Sequence, residues 1–484
     1  MTATTPGRAR ATGDDIRSVR LALRLELRDV ALRADVELAL LKRWERGLAR
    51  PPAGALKRLA EVLGVSYATL KDAQARYADV ATPGEGYTTA KAITADGTTV
   101  LARRIEPAPD HLSVLDLFCG SGGFSYGFEQ TRRFAVTGGL DLLPDRISTY
   151  QLNHPAAAAL IGDIRAVSFQ TLVDAAGTPD VIIGGPPCQG FSSIRPFRTF
   201  TVGDPRNNLF EHFAVIVAEL RPRWFVLENV VGLLTHGGGQ VLPALLDAFK
   251  DAGYTTSYAV LNGAQYGLPQ NRERLVVVGN REGRRFIFPR PTHASDHRSM
   301  AGKRAPRVHD TGLFGGELLP PAVSVMQAIH DLPAVAAGER AIEYLKDVVP
   351  TPYERRMRDG SHGLTLHEAT AHSEKMLAII RQAGSNRSAL PEGLTTSGFS
   401  SCYSRLSPEE PSVTITVNFV HPSSNKCIHP FQHRALTPRE GARLQGFPDR
   451  FEFSGSRTQI VKQIGNAVPP LLGQVIAEAI LAQW

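Results

Sequence analysis

The sequence predicts an α/β protein in which an all-α N-terminal domain precedes a doubly wound sheet. Apolar residues recur at helical spacing over residues 16–76. From residue 113 the pattern changes to short apolar strands that alternate with helical segments. These strands are SVLDLF, FAVTGGLD, PDVIIGG, RWFVLENV and RERLVVVGN. Strands that are each followed by a helix indicate a parallel sheet with helices on both faces. Between about 290 and 400 the alternation stops, which predicts a separate, irregular domain.

Composition and charge exclude several classes of protein. The chain has 484 residues, of which 43% are hydrophobic and 21% charged, as in soluble globular proteins. No apolar run reaches the roughly 18 residues of a membrane span, and the N-terminus lacks a secretory segment. We therefore expect a cytoplasmic protein with no membrane partner. Four cysteines without a CxxC pair predict neither a disulfide framework nor a metal site.

The N-terminal helices carry most of the basic charge. Residues 1–78 hold 15 lysines and arginines against 9 acidic residues, and the whole chain has a net charge of +7. This excess indicates an anionic partner, although a solvated helical face would show the same charge. WERG at 44–47, followed by Pro51 and Pro52, ends one helix, and LKRLAEVLGV at 56–65 forms the next.

WERGLARPP and LAEVLGVS resemble the phage-repressor type of helix-turn-helix domain, with a recognition helix at about 37–46. The resemblance implies DNA binding through basic side chains that contact phosphates. These side chains are Lys42, Arg43, Arg46 and Arg50. Leu27, Leu38 and Ala39 stand where the family usually has polar base-reading side chains. A helical dimerisation or protein-binding module is the alternative.

A glycine-rich turn follows the first strand of the predicted sheet, in DLFCGSGGFSYGF at 116–128. Its spacing is not GxGxxG and it has no phosphate-binding lysine, so it is neither a nicotinamide fingerprint nor a P-loop. The second strand ends with Asp141, an acid that can bind the hydroxyls of a ribose. An adenosyl ligand without a pyrophosphate fits this combination, and S-adenosylmethionine is such a ligand.

Two candidate catalytic residues follow neighbouring strands. Cys188 in GGPPCQGFS comes just after a strand, at the edge of a parallel sheet where ligands bind. Glu228 ends the next apolar strand in RWFVLENV. Alone, the cysteine would be a small buried apolar residue and the glutamate a capping carboxylate. Together they indicate a nucleophile beside an acid.

Six motifs occur in the order found in the DNA cytosine-5 methyltransferases, which this chain resembles over about 113–484. They are DLFCGSGGF, GGPPCQGFS, ENV, QNRER, LTPREGARLQGFPD and QIGNAVPP. The resemblance implies that the Cys188 thiolate adds to carbon 6 of a flipped cytosine and that Glu228 protonates ring nitrogen 3. Arg274, and with it Arg272, would bind the cytosine carbonyl.

The resemblance also implies S-adenosylmethionine as the cofactor. Phe118, Gly120, Gly122 and Gly123 would line the turn, and Asp141 would hold the ribose. Asp163 would meet the adenine amino group, and Pro187 and Asn466 would close the pocket. Residues 189–207 would form a mobile loop that contacts phosphates. Its arginines are Arg195, Arg198 and Arg206.

We therefore predict a helix-turn-helix domain at 1–78 and a linker at 79–110, with a hairpin around Asp96 and Gly97. A Rossmann-like catalytic domain follows at 111–290, a target-recognition domain at 291–400, and the rest of the catalytic domain at 401–484. Double-stranded DNA is the expected substrate, in a restriction-modification or related defence system, and a partner nuclease is left open. An RNA cytosine methyltransferase and a catalytically dead regulator are the two alternatives.

Overall fold

The computed structural model describes most of the chain, in two compact units. The described residues are 16, 20, 23, 25–45, 51, 53–68, 70, 92–102, 106–187, 209–295, 319–391, 393–395 and 400–484. The units are Met1–Thr89 and Ala90–Trp484. Six residues with predicted roles lie outside the described residues. They are Arg46, Arg50, Cys188, Arg195, Arg198 and Arg206.

The first unit contains the predicted helices. They are α1 (Leu27–Arg33), α2 (Leu38–Glu45) and α3 (Ala53–Val62). Their apolar faces share one core, which includes Leu41 and Leu59. A buried ion pair supports α2, because the Arg20 guanidinium donates to both Glu45 oxygens at 2.6 and 2.9 Å. The all-α prediction is confirmed, and α2 coincides with the predicted recognition helix.

The second unit is built on a nine-stranded sheet. Its strands are β1 (Ala92–Ile93), β2 (Thr99–Ala102), β3 (Leu112–Leu117), β4 (Phe134–Asp141), β5 (Ala158–Ile161), β6 (Val181–Gly184), β7 (Trp224–Val230), β8 (Thr255–Asn262) and β9 (Glu273–Asn280). A separate pair consists of β10 (Ser404–Arg405) and β11 (Lys426–Ile428). The α-helices are α4 (Gly123–Glu129), α5 (Pro144–Asn153), α6 (Phe169–Ala176), α7 (Leu209–Leu220), α8 (Val241–Asp251), α9 (Val325–Ile329), α10 (Pro352–Arg358), α11 (Glu374–Gln382), α12 (Pro438–Leu444), α13 (Arg457–Asn466) and α14 (Pro470–Leu481).

The strand order is β1-β2-β5-β4-β3-β6-β7-β9-β8. Strands β5, β4, β3, β6 and β7 are parallel, and the chain moves outward from β3 first on one side and then on the other. This reversal creates a switch point at the carboxyl ends of the strands, where ligands bind in such sheets. The predicted doubly wound fold is confirmed.

One detail of the predicted sheet is wrong. The strand in RERLVVVGN is β9, and it runs antiparallel to both β7 and β8. Asn262 at the end of β8 pairs with Glu273 at the start of β9, so only a short connection joins the two strands. A connection of that length reverses the chain direction, because a parallel crossover needs a dozen or more residues and usually a helix.

Helices cover both faces of the sheet. On one face the core includes Leu172 of α6 and Leu245 of α8. On the other it includes Ile147 of α5 and Ile476 of α14. The stretch Arg457–Leu481 is long and apolar enough to span a membrane. However, α13 and α14 are separate helices, and two thirds of the most apolar 18 residues are buried inside the protein. Its apolarity is explained by core packing, as predicted for the C-terminal helix.

Residues within the predicted linker join the sheet. The hairpin expected around Asp96 and Gly97 is present as β1 and β2, and β2 pairs with β5. Asp96 accepts hydrogen bonds from the Ser168 amide at 2.8 Å and the Thr171 hydroxyl at 2.7 Å, which tie the hairpin to α6. Residues 325–364 share a hydrophobic core with residues 406–464. The borders at 290 and 400 stay predictions.

Candidate active site

A cavity of about 920 Å³ opens at the carboxyl ends of the central strands. Residues predicted from distant motifs line it together. They are Phe118, Gly120, Gly123, Asp141, Asp163, Pro187, Glu228, Arg272, Arg274 and Asn466. The carboxyl edge of the sheet is thus a single site to which the glycine turn, the three acids and the C-terminal GNAVPP motif all contribute.

The glycine turn adopts a left-handed backbone at Phe118, Gly120 and Gly122, with φ of 64°, 53° and 90°. Gly122 does not line the cavity. A Cβ there would collide with the His154 ring, whose Nε2 lies 3.0 Å from the Gly122 carbonyl oxygen. A Cβ at Gly123 would collide with the Val468 carbonyl. These two glycines therefore allow close packing of the turn, while the Gly120 side of the turn faces open space.

The turn also fixes the orientation of Asp141. One Asp141 oxygen accepts the Gly120 amide at 3.0 Å, and the other accepts the Leu143 amide at 2.9 Å. Burial raises the pKa of this carboxyl above its ordinary value. The carboxylate is thereby held beside the turn with lone pairs left for a ligand, as a ribose contact requires.

The polar groups in the half of the cavity beside the glycine turn and Asp141 fit an adenosyl ligand. The Ser121 hydroxyl lines the cavity and is buried, but it has no hydrogen-bond partner within the part of the chain that the structure describes. Buried polar groups are nearly always paired, so this hydroxyl is suited to a ligand. Asp163, which follows β5, adds a second carboxylate near the open side. Two acids that accept from hydroxyl and amino groups match the donors of adenosine.

The other half of the cavity contains a buried ion pair. Arg274 Nε lies 2.8 Å from Glu228 Oε1, and the two side chains are 12% and 9% exposed. The pair links β7 to β9, which are hydrogen-bonded neighbours. A Cβ built on Gly185 would lie 3.3 Å from Glu228 Oε2. The loop that leads to Cys188 thus passes directly over the glutamate.

Asn229 secures that loop from below. Its side-chain amide donates to the Pro186 carbonyl at 2.6 Å, and its oxygen accepts the Val230 amide at 2.9 Å. The ENV motif therefore has two functions in the structure. Its glutamate faces the cavity, and its asparagine positions the PPC turn. The second function was missed in the sequence analysis, although the adjacency of the two residues was visible there.

The two arginines of QNRER have different surroundings. The Arg272 guanidinium donates to the carbonyls of Ile415 at 3.1 Å, Ala467 at 3.0 Å and Gly465 at 3.3 Å. Burial lowers its pKa well below the ordinary value. Its terminal nitrogens bind backbone, whereas its Nε is buried with no hydrogen-bond partner among the described residues, and the side chain lines the cavity. The expectation that Arg272 joins Arg274 on the cytosine stays a prediction.

A buried glutamine network, also missed in the sequence analysis, connects the same segments. The Gln270 amide donates to the Leu444 carbonyl at 2.9 Å and to Gln445 Oε1 at 2.8 Å, and its oxygen accepts the Ile415 amide at 2.8 Å. Gln445 in turn donates to the Ala467 carbonyl at 2.7 Å. The glutamines in the QNRER and RLQGFP motifs were the sequence signal from which this network could have been predicted. They hold the GNAVPP segment against the cavity.

The predicted DNA contacts cannot be placed in this way. Lys42 and Arg43 belong to α2, but their side chains are outside the described residues. The whole of each other predicted contact is also outside them, namely Arg46, Arg50, Arg195, Arg198 and Arg206. Cys188 is also outside them, directly after Pro187 in the cavity wall. Its role and those of the arginines stay predictions.

Comparison with known proteins identifies the family. A family model described as C-5 cytosine-specific DNA methylase matches residues 112–482, and a helix-turn-helix model matches residues 16–70. The chain belongs to the C-5 cytosine-specific DNA methylase family. It is a DNA (cytosine-5) methyltransferase with an N-terminal helix-turn-helix domain.

Relatives in this methylase family cover most of the chain. The Type II methyltransferase M1.HphI of Haemophilus parahaemolyticus is 35% identical over 76% of this chain and 87% of its own length. M.AgeI of Thalassovita gelatinovora is 32% identical over 76% of this chain and 99% of its own. A prophage-encoded E. coli protein described as a DNA modification methyltransferase has the same fold, with a TM-score of 0.58 and 24% identity over 77% of this chain and 99% of its own.

Proposed function

We propose that this methyltransferase modifies carbon 5 of cytosine in a specific double-stranded DNA sequence, with S-adenosylmethionine as the methyl donor. The cavity supports this, because one half presents Asp141 and Asp163 and the other presents Glu228 and Arg274. The observation that carries the proposal is the approach of Gly185 to Glu228, since it brings the PPC turn and the acid to one ligand. A flipped base is the substrate that both could reach together.

The chain's residues have separate tasks in the proposed reaction. The Cys188 thiolate adds to carbon 6 of the cytosine, and Glu228 delivers a proton to ring nitrogen 3, which leaves carbon 5 nucleophilic. Arg274 stabilises the carbonyl oxygen of the adduct. The bound cofactor supplies an electrophilic methyl group to carbon 5. A base then takes the carbon 5 proton and the thiolate leaves carbon 6. The nitrogen 3 proton returns to Glu228, which releases 5-methylcytosine.

Bisulfite sequencing of DNA from a host that expresses the protein tests the activity and reports the target sequence.

Covalent trapping tests the chemistry, because 5-fluorocytosine in the target has no carbon 5 proton to lose and the adduct therefore persists. Wild type and Cys402→Ser should both form a covalent complex, while Cys188→Ser should not. Cys402 is a buried cysteine away from the cavity lining, which makes it the matched control. A trapped Cys188→Ser complex would refute the nucleophile.

The same proposal places the protein in the cytoplasm with a restriction-modification system, since the relatives named above are Type II methyltransferases. A cognate nuclease would cut the sequence that this enzyme protects. Cutting of unmodified DNA at the mapped methylation sequence, by extract of the source cell, would reveal that partner. Absence of such cutting would favour a solitary methyltransferase.

We also propose that the helix-turn-helix domain binds an operator and represses the enzyme's own transcription. The short turn between α1 and α2 and the match of residues 16–70 to a helix-turn-helix model support a DNA-binding module of the repressor type. A gel shift of the full chain with its upstream DNA is the test, with Lys42→Ala/Arg43→Ala/Arg46→Ala as the comparison. Equal binding by both proteins would reject it. A protein-binding module is the second candidate, favoured by Leu32, which is 81% exposed on α1.

A further inference from the structure

Arg165 is a cavity residue that the proposed reaction does not use. It follows β5 by four residues in the GDIR segment and lines the same cavity as Asp163. Asp141 is the last residue of the neighbouring strand β4, and the Gly162 amide donates to the Asp141 carbonyl at 3.1 Å. Arg165 is therefore at the nucleoside end of the cavity, apart from Glu228 at the end of β7.

Arg165 folds back onto Asp163 and holds its carboxylate at several points. Its Nε donates to the two Asp163 oxygens at 2.9 and 3.0 Å, and its Nη2 donates at 2.5 Å. The Arg165 backbone amide donates to the same carboxylate at 3.0 Å. These hydrogen bonds lower the pKa of Asp163. The side chain is thus fixed in one orientation.

An ionised carboxylate can only accept hydrogen bonds. The Asp163 side chain is 29% exposed, so it is not closed off by Arg165. A purine with an amino group at position 6 offers a donor to this carboxylate. A purine with an oxo group there offers a second acceptor, which leaves both oxygens without a proton between them.

We propose that Arg165 is the positioning residue that makes the cofactor site select a 6-amino purine over a 6-oxo purine. It acts through Asp163, by holding that carboxylate in one orientation where it lines the cavity. The inference rests on the proposed function, because it requires Asp163 to meet the purine of the cofactor. A purely structural Arg165 would instead affect the binding of both purines equally.

Calorimetric binding of two product analogues by the full chain tests this. S-adenosylhomocysteine carries the 6-amino group, and S-inosylhomocysteine carries the 6-oxo group. Wild type should prefer the adenosyl compound by roughly 10- to 100-fold, as for a hydrogen bond to a charged group. Arg165→Ala should reduce the preference to about threefold or less, mainly by weakening the adenosyl compound. Arg165→Lys, which keeps the charge without the fork, should lie between.

Arg133→Ala is the matched control, since Arg133 is an exposed arginine outside the cavity lining, and it should keep the wild-type preference. Asp163→Asn tests whether Asp163 meets the purine, separately from whether Arg165 acts through it, because an asparagine amide can donate to a 6-oxo group. If Asp163→Asn keeps the wild-type preference, the assignment of Asp163 to adenine fails, and the inference with it. If Asp163→Asn changes the preference but Arg165→Ala does not, or weakens both analogues equally, the inference alone is overturned.

Discussion

The cavity contains two carboxylate–guanidinium pairs that differ in burial and in origin. Asp163 and Arg165 are two residues apart, with side chains 29% and 55% exposed. Glu228 and Arg274 come from neighbouring antiparallel strands, and their side chains are 9% and 12% exposed. Water screens the first pair strongly and the second weakly. The comparison teaches that an exposed local pair can orient a ligand contact, whereas a buried pair links the chemistry to the stability of the sheet.

The largest effect is expected from the buried acid. Glu228→Gln should lower the rate of methyl transfer by roughly 10²- to 10⁴-fold, because the amide cannot deliver a proton to the base. Cofactor affinity should stay within about threefold of wild type. Asp163→Asn should show the reverse, with weaker cofactor binding but substantial transfer at saturating cofactor. Measurements of the transfer rate and of cofactor affinity on both variants check this. If each variant lost rate and affinity equally, the two pairs would not have separate roles in chemistry and cofactor binding.

Breaking the buried pair should also destabilise the protein. Arg274→Met leaves Glu228 without its partner between β7 and β9, and we expect a loss of about 3–5 kcal/mol in the free energy of unfolding. Adding Glu228→Gln removes the unpaired charge and should recover most of that loss without restoring activity. Urea denaturation of the single and double variants measures it. A single variant as stable as wild type would mean that water reaches the pair.

Another buried acid, Asp116, differs from Glu228 because its described side-chain partner is a hydroxyl and not a guanidinium. Asp116 on β3 accepts the Ser125 hydroxyl at 2.6 Å, and burial raises its pKa to about 7. Between about pH 4 and 7 the native state holds a proton that the unfolded chain has released, so this residue's contribution to stability falls as pH rises. The fall should be about 2–4 kcal/mol and complete above pH 7.

Asp116→Asn should remove that part of the pH dependence. Relative to wild type, the variant should gain stability as the pH rises from about 4.5 to about 8, because the amide has no proton to release. Urea denaturation at several pH values gives the difference directly. Parallel curves for the two proteins would show that Asp116 does not titrate in this range.

The smallest effect on stability is expected at the exposed pair. Arg165→Ala should change the free energy of unfolding by less than about 1 kcal/mol, because exposed ion pairs contribute little and salt screens them. The same urea experiments, at low and at moderate salt, measure it. A loss comparable with that of Arg274→Met would mean that Arg165 supports the fold and not the ligand contact.

Local sequence patterns were sufficient for much of the fold. The periodicity of the apolar residues predicted the N-terminal helices and the positions of β3, β4, β6 and β7. The hairpin around Asp96 and Gly97 was also correct, because that dipeptide supplies the positive φ that the turn needs. The direction of β9 was not predictable from its apolar run, since a buried strand has the same composition in either direction.

The site shows the same division. Asp141 and Glu228 were found because each acid lies near the end of an apolar strand, and Asp163 was found through the family resemblance. All three line the cavity. The contacts of Arg272 were not predicted, because they join a residue of QNRER to carbonyls 143 and 195 positions away in the sequence. The glutamine network around Gln270 spans 145 to 175 residues in the same way.

The sequence by itself determined the element types, the glycine turn and the order of the motifs, because spacing and backbone preference act over a few residues. Only the tertiary structure decided that, of the two QNRER arginines that line the cavity, Arg272 binds distant backbone carbonyls and Arg274 pairs with Glu228. It also decided that part of the linker extends the sheet. Those outcomes depend on which distant segments compete for the same buried donors and strand edges, and that competition arises only when the chain is folded.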